Sequence, residues 1–579
     1  MDGATLTRPT RATHSDQIGH RATTPGATWT TVQAALDRLE GVVASGGAAD
    51  ETTSIQAQID ALGAGHTLRV GAGTHLITGT LTLPSNFTLE GDAGCTLRGQ
   101  AGRTTPLIDI DGKINVTVRG FTADLAAGTA ASSLAYAVYV RGNAFNVKVE
   151  DVRAAGWVTG VQIDGSAGFV SGTCRKITVR DCDCDNSPTS WGLNAEDCDV
   201  VLFDNCGATG NWLDGGKARA TALNVTVRGG RFNGNGIGYL SNPSLYAGDG
   251  WDGYAGANGF TLDGAVCDGN YGNGITIKSG DLNKNSPSVY GYVRNVRLLN
   301  VSCRNNLQGS GAYLTIVTPG DLAEPLVTHL IVDGGDFDEN SEHGIYCSTR
   351  NTTIDHPHCR NNQKHGIVTS SRAMDVQIND PVCVGNGRAA ANTYSGINVD
   401  GRDIVINGGL YVGRDADTIG CDADYTGTLW SRHGIDIAAA AFNIAVHWPT
   451  GRHLVSQAVR DLGTTGRCII NQIGTGDPNA SGRYGGMGSM YIRDYTGGGG
   501  ANDDGYLVVW IKTAGLRNTP TSGWSPMIPF APVAALPTAI AALRGTTLRK
   551  VGGAGVADSW HVCQKNAADA YEWKQITVF

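Results

Sequence analysis

The chain has 579 residues, a formal net charge of −9, and charged side chains at only 17% of its positions. A nucleic-acid-binding surface needs a clustered excess of Lys and Arg, so this balance predicts no nucleic-acid partner. No apolar run reaches the length of a membrane-spanning helix, and the opening Met1-Asp2-Gly3 does not begin a signal peptide, so no membrane insertion is expected. The length suits one large domain with smaller modules at its ends.

Residues 1–48 are predicted to form a segment for attachment or oligomerisation. Within it, Thr30–Val43 places Val32, Leu36 and Leu39 along one stripe of a helix. A single short amphipathic helix is marginal on its own. We therefore expect it to pack against copies of itself or a partner, or else to dock on its own chain.

A motif of alternating apolar residues, a polar corner, an inward-facing residue and usually a closing Asn recurs along the middle of the chain. Its spacing of 22 to 36 residues is typical of solenoids and other stacked arrays. The apolar period of two indicates strands rather than helical repeats, and the shortest copies are too small for a propeller blade. The copies start at Asn115, Asn146, Lys176, Asp199, Asn224, Gly259, Asn295, His329, Asn351, Asp375 and Asp403.

Each repeat also contains a second short strand, so each coil carries at least two strands separated by turns. The fold class predicted is all-β, a right-handed parallel β-helix over residues 49–441 in which like positions stack about 4.8 Å apart. The second strands lie at 107–112, 137–142, 160–165, 192–197, 273–279, 310–316, 343–348, 365–370, 395–400 and 433–438.

The 14 cysteines are predicted to be free, buried thiols. Cys267, Cys303, Cys359 and Cys383 occupy one slot of the repeat, three residues before the closing Asn. A position that recurs in this way indicates an inward column of small hydrophobic residues. No pair of cysteines has the spacing typical of zinc ligands. This favours folding in a reducing cytosol.

From about residue 442 the repeat decays. Residues 442–579 contain a Gly-rich stretch, a Pro- and Ala-rich stretch at 527–543, and a final β-rich segment at 559–579. They are predicted to form one or more β-rich modules for trimerisation or binding.

The segment 49–99 resembles the opening of pectate-lyase-like β-helix proteins, especially phage tailspikes. The residues that carry the resemblance are Asp50, Glu51, Thr52, Ile55, Gln56 and Ile59, followed by TLTLPSNFTLEG at 80–91. Residues 27–40 and 558–576 are similar to terminal segments of phage tail proteins. The resemblance implies a helix that caps the solenoid, and a homotrimeric tailspike in the phage virion, made in the host cytoplasm. It also implies attachment to a tail or baseplate protein through the N-terminus, and binding and often cleavage of a bacterial surface polysaccharide.

Two outward columns of the second strands suggest a first catalytic candidate. Aligning the strands places Asp164 and Glu196 on consecutive coils, with Tyr139 and Arg141 one coil earlier. Glycosidases hold two carboxyls about 5–5.5 Å apart when they retain configuration and about 6.5–9.5 Å apart when they invert it. Arg141 could bind an acidic sugar. The alternative is that these are ordinary acidic residues on a solvated β-helix face.

Tryptophans suggest where a glycan would lie. Trp157, Trp191 and Trp212 fall at or just before the turn into the second strand, so stacked coils would align them along one edge. Aromatic faces suit the apolar side of sugar rings. An equal alternative is a hydrophobic seam beneath a loop or between protomers.

The longest insertion in this region, 242–259, suggests a second catalytic candidate. It is predicted to be a loop that offers Asp249, Trp251, Asp252 and Tyr254, with Asp214 one coil earlier. Long loops on rigid scaffolds are common binding sites. The two loop aspartates could be catalytic carboxylates or, equally, calcium ligands; no other cofactor or metal is expected.

Lys278 is a further candidate for substrate binding. It lies in GITIKSGD at 274–281, which is similar to the Arg-Ile-Lys strand of polygalacturonases, although Thr276 stands in place of the Arg.

Histidines are interpreted as architecture. His343, His365 and His433 share the slot before the Gly-Ile of their strands, which favours a stacked or corner role. The DHPH stretch at 355–358 resembles the Asp-Pro-His motif of alginate epimerases, but its order differs and it aligns with an ordinary corner of the next coil.

Four functions remain open on the sequence alone. The favoured one is a tailspike that hydrolyses a capsule, exopolysaccharide or O-antigen. The second is a polysaccharide lyase, with Arg141 or Lys278 neutralising a uronate and Tyr139 or a His as the base. The third is an adhesin that binds without cleaving, and the fourth is a secreted cell-envelope carbohydrate enzyme unrelated to phage.

Overall fold

The structure is a computed structural model. It describes residues 42–43, 49–126, 134–165, 174–240, 248–281, 290–316, 327–413, 431–452, 458–462, 468–474, 489–493, 508–512, 524–529, 536, 539, 547–550, 559–568 and 570–576. Most of the predicted segment 1–48, including Thr30–Glu40 of its helix, lies outside the described residues. The last two residues of that predicted helix, Val42–Val43, form a strand instead, paired in parallel with Arg69–Val70.

The strands of successive coils build two long sheets. Within the described residues the first sheet has 22 strands. They are Val42–Val43, Thr67–Val70, Gly73–Ile77, Thr88–Gly91, Cys95–Gly99, Ile114–Leu125, Phe145–Ala155, Cys174–Arg180, Asp183–Asp185, Cys198–Asp204, Leu223–Arg228, Thr261–Asp263, Val293–Leu299, Val327–Asp333, Arg350–Asp355, Met374–Asn379, Arg402–Asn407, Phe442–His447, Cys468–Gly474, Met490–Arg493, Val508–Lys512 and Trp524–Pro529.

The second sheet has 15 strands in the same described ranges. They are Leu81–Thr82, Ile108–Asp111, Tyr136–Arg141, Thr159–Asp164, Leu193–Glu196, Gly216–Arg219, Trp251–Tyr254, Ile275–Asp281, Tyr290–Gly291, Ala312–Ile316, Ile345–Cys347, Ile367–Thr369, Ile397–Val399, Ile435–Ile437 and Val459–Asp461. Apart from the antiparallel Tyr290–Gly291, their pairings are parallel. The predicted parallel β-helix with at least two short strands per coil is therefore confirmed.

Smaller elements complete the described part of the chain. A third, parallel sheet comprises His358–Arg360, Val382–Val384, Leu410–Val412 and Thr450–Arg452. An antiparallel sheet near the C-terminus comprises Thr547–Lys550, Ser559–Lys565 and Tyr571–Ile576. The helices are an α-helix, Thr52–Leu62, and a 3₁₀ helix, Ile237–Leu240. Ile55 and Ile59 of the α-helix are fully buried, which agrees with the capping position that the resemblance implied.

Parallel stacking continues beyond residue 441. Phe442–His447 pairs with Arg402–Asn407, and its residues Ile444–His447 pair with Cys468–Asn471. Antiparallel pairing begins later, between Met490–Arg493 and Val508–Lys512. The transition to a different β-architecture thus falls after the position at which the sequence repeat fades.

The repeat begins with a corner that needs left-handed backbone. Asn115, Asn146 and Asn224 have φ of 56°, 54° and 52°, a conformation that Asn tolerates better than most residues. Their side chains also bond between coils: Nδ2 of Asn146 donates to Oδ1 of Asn115 over 2.8 Å. These first asparagines thus set both a bend and the coil register. The polar corner predicted after the alternating residues also has left-handed backbone, with φ of 51° at Asp151 and 50° at Asp181.

The closing asparagines form a ladder inside the solenoid. The Nδ2 of each member except the last donates to the Oδ1 of the next coil over 2.8 to 3.2 Å, and the side chains are buried. Burial of an amide is costly unless it is hydrogen-bonded, and the ladder supplies those bonds. Its members are Asn211, Asn235, Asn270, Asn306, Asn340, Asn362 and Asn386.

The cysteine and histidine predictions are confirmed within the described residues. The 13 cysteines described are all buried and free. The rings of His343 and His365 stack with centroids 5.6 Å apart, as expected for a shared slot. His356 of DHPH has φ of 50° and serves as the corner that Asp380 forms one coil later, with φ of 44°.

Candidate active site

The strand register of the second sheet agrees with the two columns predicted from the sequence. Tyr139 pairs with Gln162, which pairs with Asn194. In the neighbouring column Asp164 pairs with Arg141 on one side and Glu196 on the other. The two carboxylates therefore do lie at equivalent positions on adjacent coils.

Both carboxylates are held by neighbouring side chains. The Tyr139 hydroxyl donates to Oδ2 of Asp164 over 3.1 Å. Oε2 of Glu196 accepts two bonds from Arg219, from Nε at 2.9 Å and Nη2 at 2.5 Å. Burial and the charges of Asp164 and Glu196 raise the pKa of Tyr136 to about 12.

Arg141 is engaged by acidic side chains. Its guanidinium binds Asp109 over 2.9 Å and Asp111 over 3.2 Å. This ion pairing opposes the predicted role of Arg141 in binding an acidic sugar, because the guanidinium would first have to leave two carboxylates.

Two of the tryptophans predicted to bind substrate belong to the core. Trp157 is 1% exposed, and its Nε1 donates to the Ala123 carbonyl over 3.0 Å. Trp251 is fully buried between Phe232 and Phe260, with ring centroids 5.0 Å and 5.8 Å away. Neither ring can meet a ligand, so the predicted role of both is wrong, and the three-tryptophan edge does not exist as a surface.

The inward direction of Trp251 follows from a strand that the sequence did not reveal. Residues Trp251–Tyr254 were predicted to lie in a loop, but they pair with Gly216–Ala218 on one side and Ile275–Lys278 on the other. Side chains alternate along a strand, so Trp251 points inward. The absence of a side chain at Gly216, its direct partner, makes the room: a Cβ there would lie 2.0 Å from the indole.

The same alternation brings Asp252 and Tyr254 to the outer face. There they join Lys217, Lys278 and, from the preceding turns, Asp214 and Asp249. We call these five charged residues, Asp214, Lys217, Asp249, Asp252 and Lys278, the charged cluster. All three carboxylates are almost entirely buried, at 0%, 3% and 1% exposure for Asp214, Asp249 and Asp252.

Ion pairs join the charged cluster. Oδ2 of Asp252 lies 2.6 Å from Nζ of Lys217 and 3.3 Å from Nζ of Lys278. The Lys217 ammonium also lies 3.5 Å from Oδ2 of Asp214. Oδ1 of Asp252 is buried and has no hydrogen-bond partner in the described part of the chain, so one acceptor at the centre of the cluster is available to a donor.

Backbone bonds fix the turns that carry the other two carboxylates. Oδ1 of Asp214 accepts from the backbone N–H groups of Gly248 and Asp249, over 2.8 Å and 3.0 Å. Oδ1 of Asp249 in turn accepts from the N–H and Nδ2 of Asn273, over 2.7 Å and 3.1 Å. Asp214 thereby positions Asp249, and Asn273 orients its carboxyl.

Burial and neighbouring charges move the pKa values of Asp249 and Asp252 in opposite directions. Burial raises the pKa of Asp249 to about 7 against the opposing charge of Lys278, and the negative charge of Asp214 adds to the effect. Burial also raises the pKa of Asp252, but the ammonium groups of Lys217 and Lys278 outweigh it and hold that pKa below its usual value. Two carboxyls three residues apart in the sequence, on one coil, thus differ in protonation near neutral pH.

Aromatic rings flank the lysines. Nζ of Lys217 lies 5.2 Å from the centre of the Trp191 ring and 5.3 Å from that of Tyr254, and Nζ of Lys278 lies 5.6 Å from the Tyr254 ring. Trp191 and Tyr254 are half-buried. Trp212 is also half-buried and packs against Gly238 of the 3₁₀ helix. The predicted substrate-binding residues Trp191 and Tyr254 therefore lie beside the charged cluster, of which Lys278 is a member. Trp212 packs against the neighbouring turn instead.

The contacts of Asp252 oppose the alternative that Asp249 and Asp252 are calcium ligands. Two ammonium groups occupy positions beside its carboxylate where a cation would bind. Among the described residues, no group of three or more His, Cys, Asp or Glu side chains is arranged to hold a metal ion.

Lys217 and Arg219 contact the candidate carboxylates but are not among the residues that the sequence indicated. The second strands predicted from the sequence pass from 192–197 to 273–279, although GKAR at 216–219 continues both outward columns by one coil. Two glycines precede Lys217, and one apolar residue, Ala218, lies between two cations, so this stretch shows no apolar alternation.

Comparison with known proteins identifies the fold. No protein-family model matches the chain, and no curated protein matches it. Among solved structures, it is similar to the tailspike protein of E. coli bacteriophage HK620, solved as a double mutant in complex with pentasaccharide. The identity is 14% over 87% of this chain and 95% of that one, with a TM-score of 0.55. Another double mutant of the same tailspike matches at 15% identity over 77% and 83% of the chains, with a TM-score of 0.54.

The A-module of Azotobacter vinelandii mannuronan C-5 epimerase AlgE4 is also similar, at 16% identity over 74% of this chain and 98% of that one, with a TM-score of 0.40. Within the described residues, no helix is long and apolar enough to span a membrane. At these identities the HK620 likeness shows the architecture: the chain is a parallel β-helix of the kind found in a phage tailspike.

Proposed function

We propose that this chain is a phage tailspike that binds a bacterial surface polysaccharide and cleaves it by glycoside hydrolysis at the charged cluster. The observation that carries the proposal is the pair Asp249 and Asp252, whose pKa values are moved in opposite directions beside the half-buried rings of Trp191 and Tyr254. Strongly perturbed carboxyls next to specific charge partners are characteristic of catalytic sites. The fold neighbours, tailspikes from a bacteriophage, one of them in complex with pentasaccharide, support the substrate class.

The two carboxyls have complementary roles in this proposal. Asp249 keeps its proton near neutral pH and donates it to the oxygen of the leaving sugar. Asp252 stays ionised and acts on the opposite side, as nucleophile or as the base that activates water. The side chains in contact with Asp252 are Lys217 and Lys278, 11% and 14% exposed, and such long side chains can move aside when a glycan binds.

Hydrolysis is favoured over β-elimination by the ion pairs of Arg141 and by the raised pKa of Tyr139, two residues that the sequence offered for a lyase. A lyase needs a cation that is free to neutralise a uronate, but the candidate Arg141 binds Asp109 and Asp111. Burial and the charge of Asp164 also raise the pKa of Tyr139 well above its usual value, which opposes its use as a base.

Asp164 and Glu196 are the second candidate pair for the same reaction. They are half-buried rather than fully buried, so a glycan reaches them with less rearrangement. The argument against this pair is that Glu196 already accepts two hydrogen bonds from Arg219, and a substrate would have to compete with them.

The virion location, the homotrimer and an N-terminal attachment to a tail or baseplate protein belong to the same proposal and rest on the sequence resemblance.

The experiment that tests the proposal is incubation of the purified protein with a panel of capsular polysaccharides, exopolysaccharides and O-antigens. We expect new reducing ends without the ultraviolet absorbance of unsaturated uronates. That absorbance would instead identify a lyase. Binding without either product would identify an adhesin and overturn the enzymatic proposal.

The rate of cleavage is expected to depend on pH through Asp249. Because its pKa is raised to about 7, it holds the catalytic proton below that pH and loses it above. The turnover number should therefore fall as pH rises through about 7, while Asp252 remains ionised across this range. Initial rates at saturating polysaccharide measure this, and a rate that is constant from about pH 6 to about pH 9 would exclude Asp249 as the acid.

A further inference from the structure

A ladder of aromatic rings lies on the same outer face and begins one coil beyond Lys278 of the charged cluster. The rings of Tyr313 and Tyr346 stack with centroids 4.9 Å apart, and that of His343 lies 6.0 Å from Tyr346. His343 stacks in turn on His365, whose ring meets the edge of Tyr394 at 5.1 Å. All five side chains are half-buried, so the ladder is part of the surface and not of the core.

The ladder continues a column of the candidate site. Asp252 pairs with Thr276, Thr276 pairs with Tyr313, and Tyr313 pairs with Tyr346. At about 4.8 Å per coil, Tyr313 lies about 10 Å from the position of Asp252 along the solenoid axis. One coil step is close to the length of one pyranose ring. A glycan chain that occupies the charged cluster and follows the axis therefore reaches Tyr313 after a few sugar residues.

The ladder presents little charge. Burial and neighbouring positive charge lower the pKa of His343 to about 3, and burial lowers that of His365 to about 4, so both rings are neutral at physiological pH. The adjacent Lys364 and Glu342 form an ion pair at 2.5 Å. The charge of Arg372 acts on Tyr346 from outside the ladder, but the rings themselves offer a ligand only ring edges and tyrosine hydroxyls.

We propose that Tyr313, Tyr346 and His343 form a non-catalytic subsite for uncharged sugar residues of the same polysaccharide that is cleaved at the charged cluster. This inference rests on the proposed function. Apolar C–H groups of a sugar pack against the rings, and sugar hydroxyls exchange hydrogen bonds with the tyrosine hydroxyls, whereas a uronate would find no cation on the ladder rings themselves. The subsite would increase affinity for long chains without taking part in bond cleavage.

The test replaces the rings and compares long with short substrates. In the double variant Tyr313→Ala/Tyr346→Ala we expect KM for a cleavage-sensitive polysaccharide to rise about tenfold. The turnover number, and KM for the shortest oligosaccharide that is still cleaved, should stay within about twofold. Tyr313→Phe/Tyr346→Phe keeps the rings and should recover most of the affinity. Tyr292→Ala, an aromatic residue that is 46% exposed and precedes a strand of the first sheet, is the matched control and should change neither constant.

Three outcomes would overturn the subsite. One is an unchanged KM for the polymer in the double alanine variant that folds like the parent protein. Another is an equal loss for long and short substrates, which would indicate a structural role for the stacked rings. The third is tighter binding of an acidic polysaccharide than of its carboxyl-reduced form. If the parent protein neither binds nor cleaves any polysaccharide in the panel, the proposed function itself fails, which is a different result.

Discussion

The variant Asp252→Asn is expected to lose cleavage by about 10³-fold or more in turnover number while it still binds polysaccharide. The amide keeps the shape of the side chain and an oxygen that can accept from Lys217, but it cannot serve as nucleophile or strong base, and removal of a group in that role costs rate far more than affinity. Asp249→Asn should have a comparable effect, because an amide cannot donate the proton that the leaving sugar needs. Rates from reducing-end assays and affinities from binding to the uncleaved polymer measure the two effects separately.

Asp436→Asn is the matched control. Asp436 lies in the same outward column, is 7% exposed and is bound by Arg460, but it is several coils from the charged cluster. The Asp436→Asn variant should cleave polysaccharide at nearly the rate of the parent protein. If Asp249→Asn and Asp252→Asn both cleave normally while Asp164→Asn or Glu196→Gln does not, catalysis belongs to the second candidate pair and the role of the charged cluster is structural.

The columns of the candidate site could be predicted because a solenoid converts sequence alignment into neighbourhood. Once the repeat was aligned, the pairing of Asp164 with Glu196 followed without any other information, and the register agrees. The cysteine slot, the histidine slot and the closing asparagines were predictable for the same reason. In each case one residue type recurs at one position, and a recurring position can be assigned to the inside or to a corner.

The charged cluster could be predicted only in part, because it is built where the repeat is interrupted. Asp214, Asp249, Asp252 and Lys278 were singled out, but the insertion at 242–259 hid the strand Trp251–Tyr254 and with it the alternation that sends Trp251 inward. The burial of the carboxylates depends on how the turns at Asp214 and Asp249 bond to each other. Such contacts join residues of different types across coils, so no single column of the alignment contains them.

Stability, in contrast to catalysis, is expected to depend on the interior asparagine ladder, and Asn306→Ala tests this. In the parent protein Oδ1 of Asn306 accepts from the N–H and Nδ2 of Asn270, over 3.0 Å and 3.2 Å, and its own Nδ2 donates to Asn340 over 2.8 Å. Alanine removes the acceptor and leaves two donors of Asn270 buried without a partner. Each buried unsatisfied polar group costs about 1–3 kcal/mol, so we expect a loss of about 3 kcal/mol in the free energy of unfolding.

A control variant at an exposed amide shows whether the loss of stability in Asn306→Ala comes from the buried ladder. Gln377→Ala removes an exposed amide whose Nε2 donates only to Asn379 in the described structure, and should change stability by less than about 0.5 kcal/mol. Urea unfolding of both variants, followed by tryptophan fluorescence, compares a buried with an exposed amide on the same solenoid. Because a solenoid is stabilised by contacts between neighbouring coils, a weakened rung at Asn306 lowers the stability of the coils on both sides, including the one that carries Lys278. If Asn306→Ala is no less stable than Gln377→Ala, the ladder is satisfied in another way and does not hold the coils of the candidate site in register.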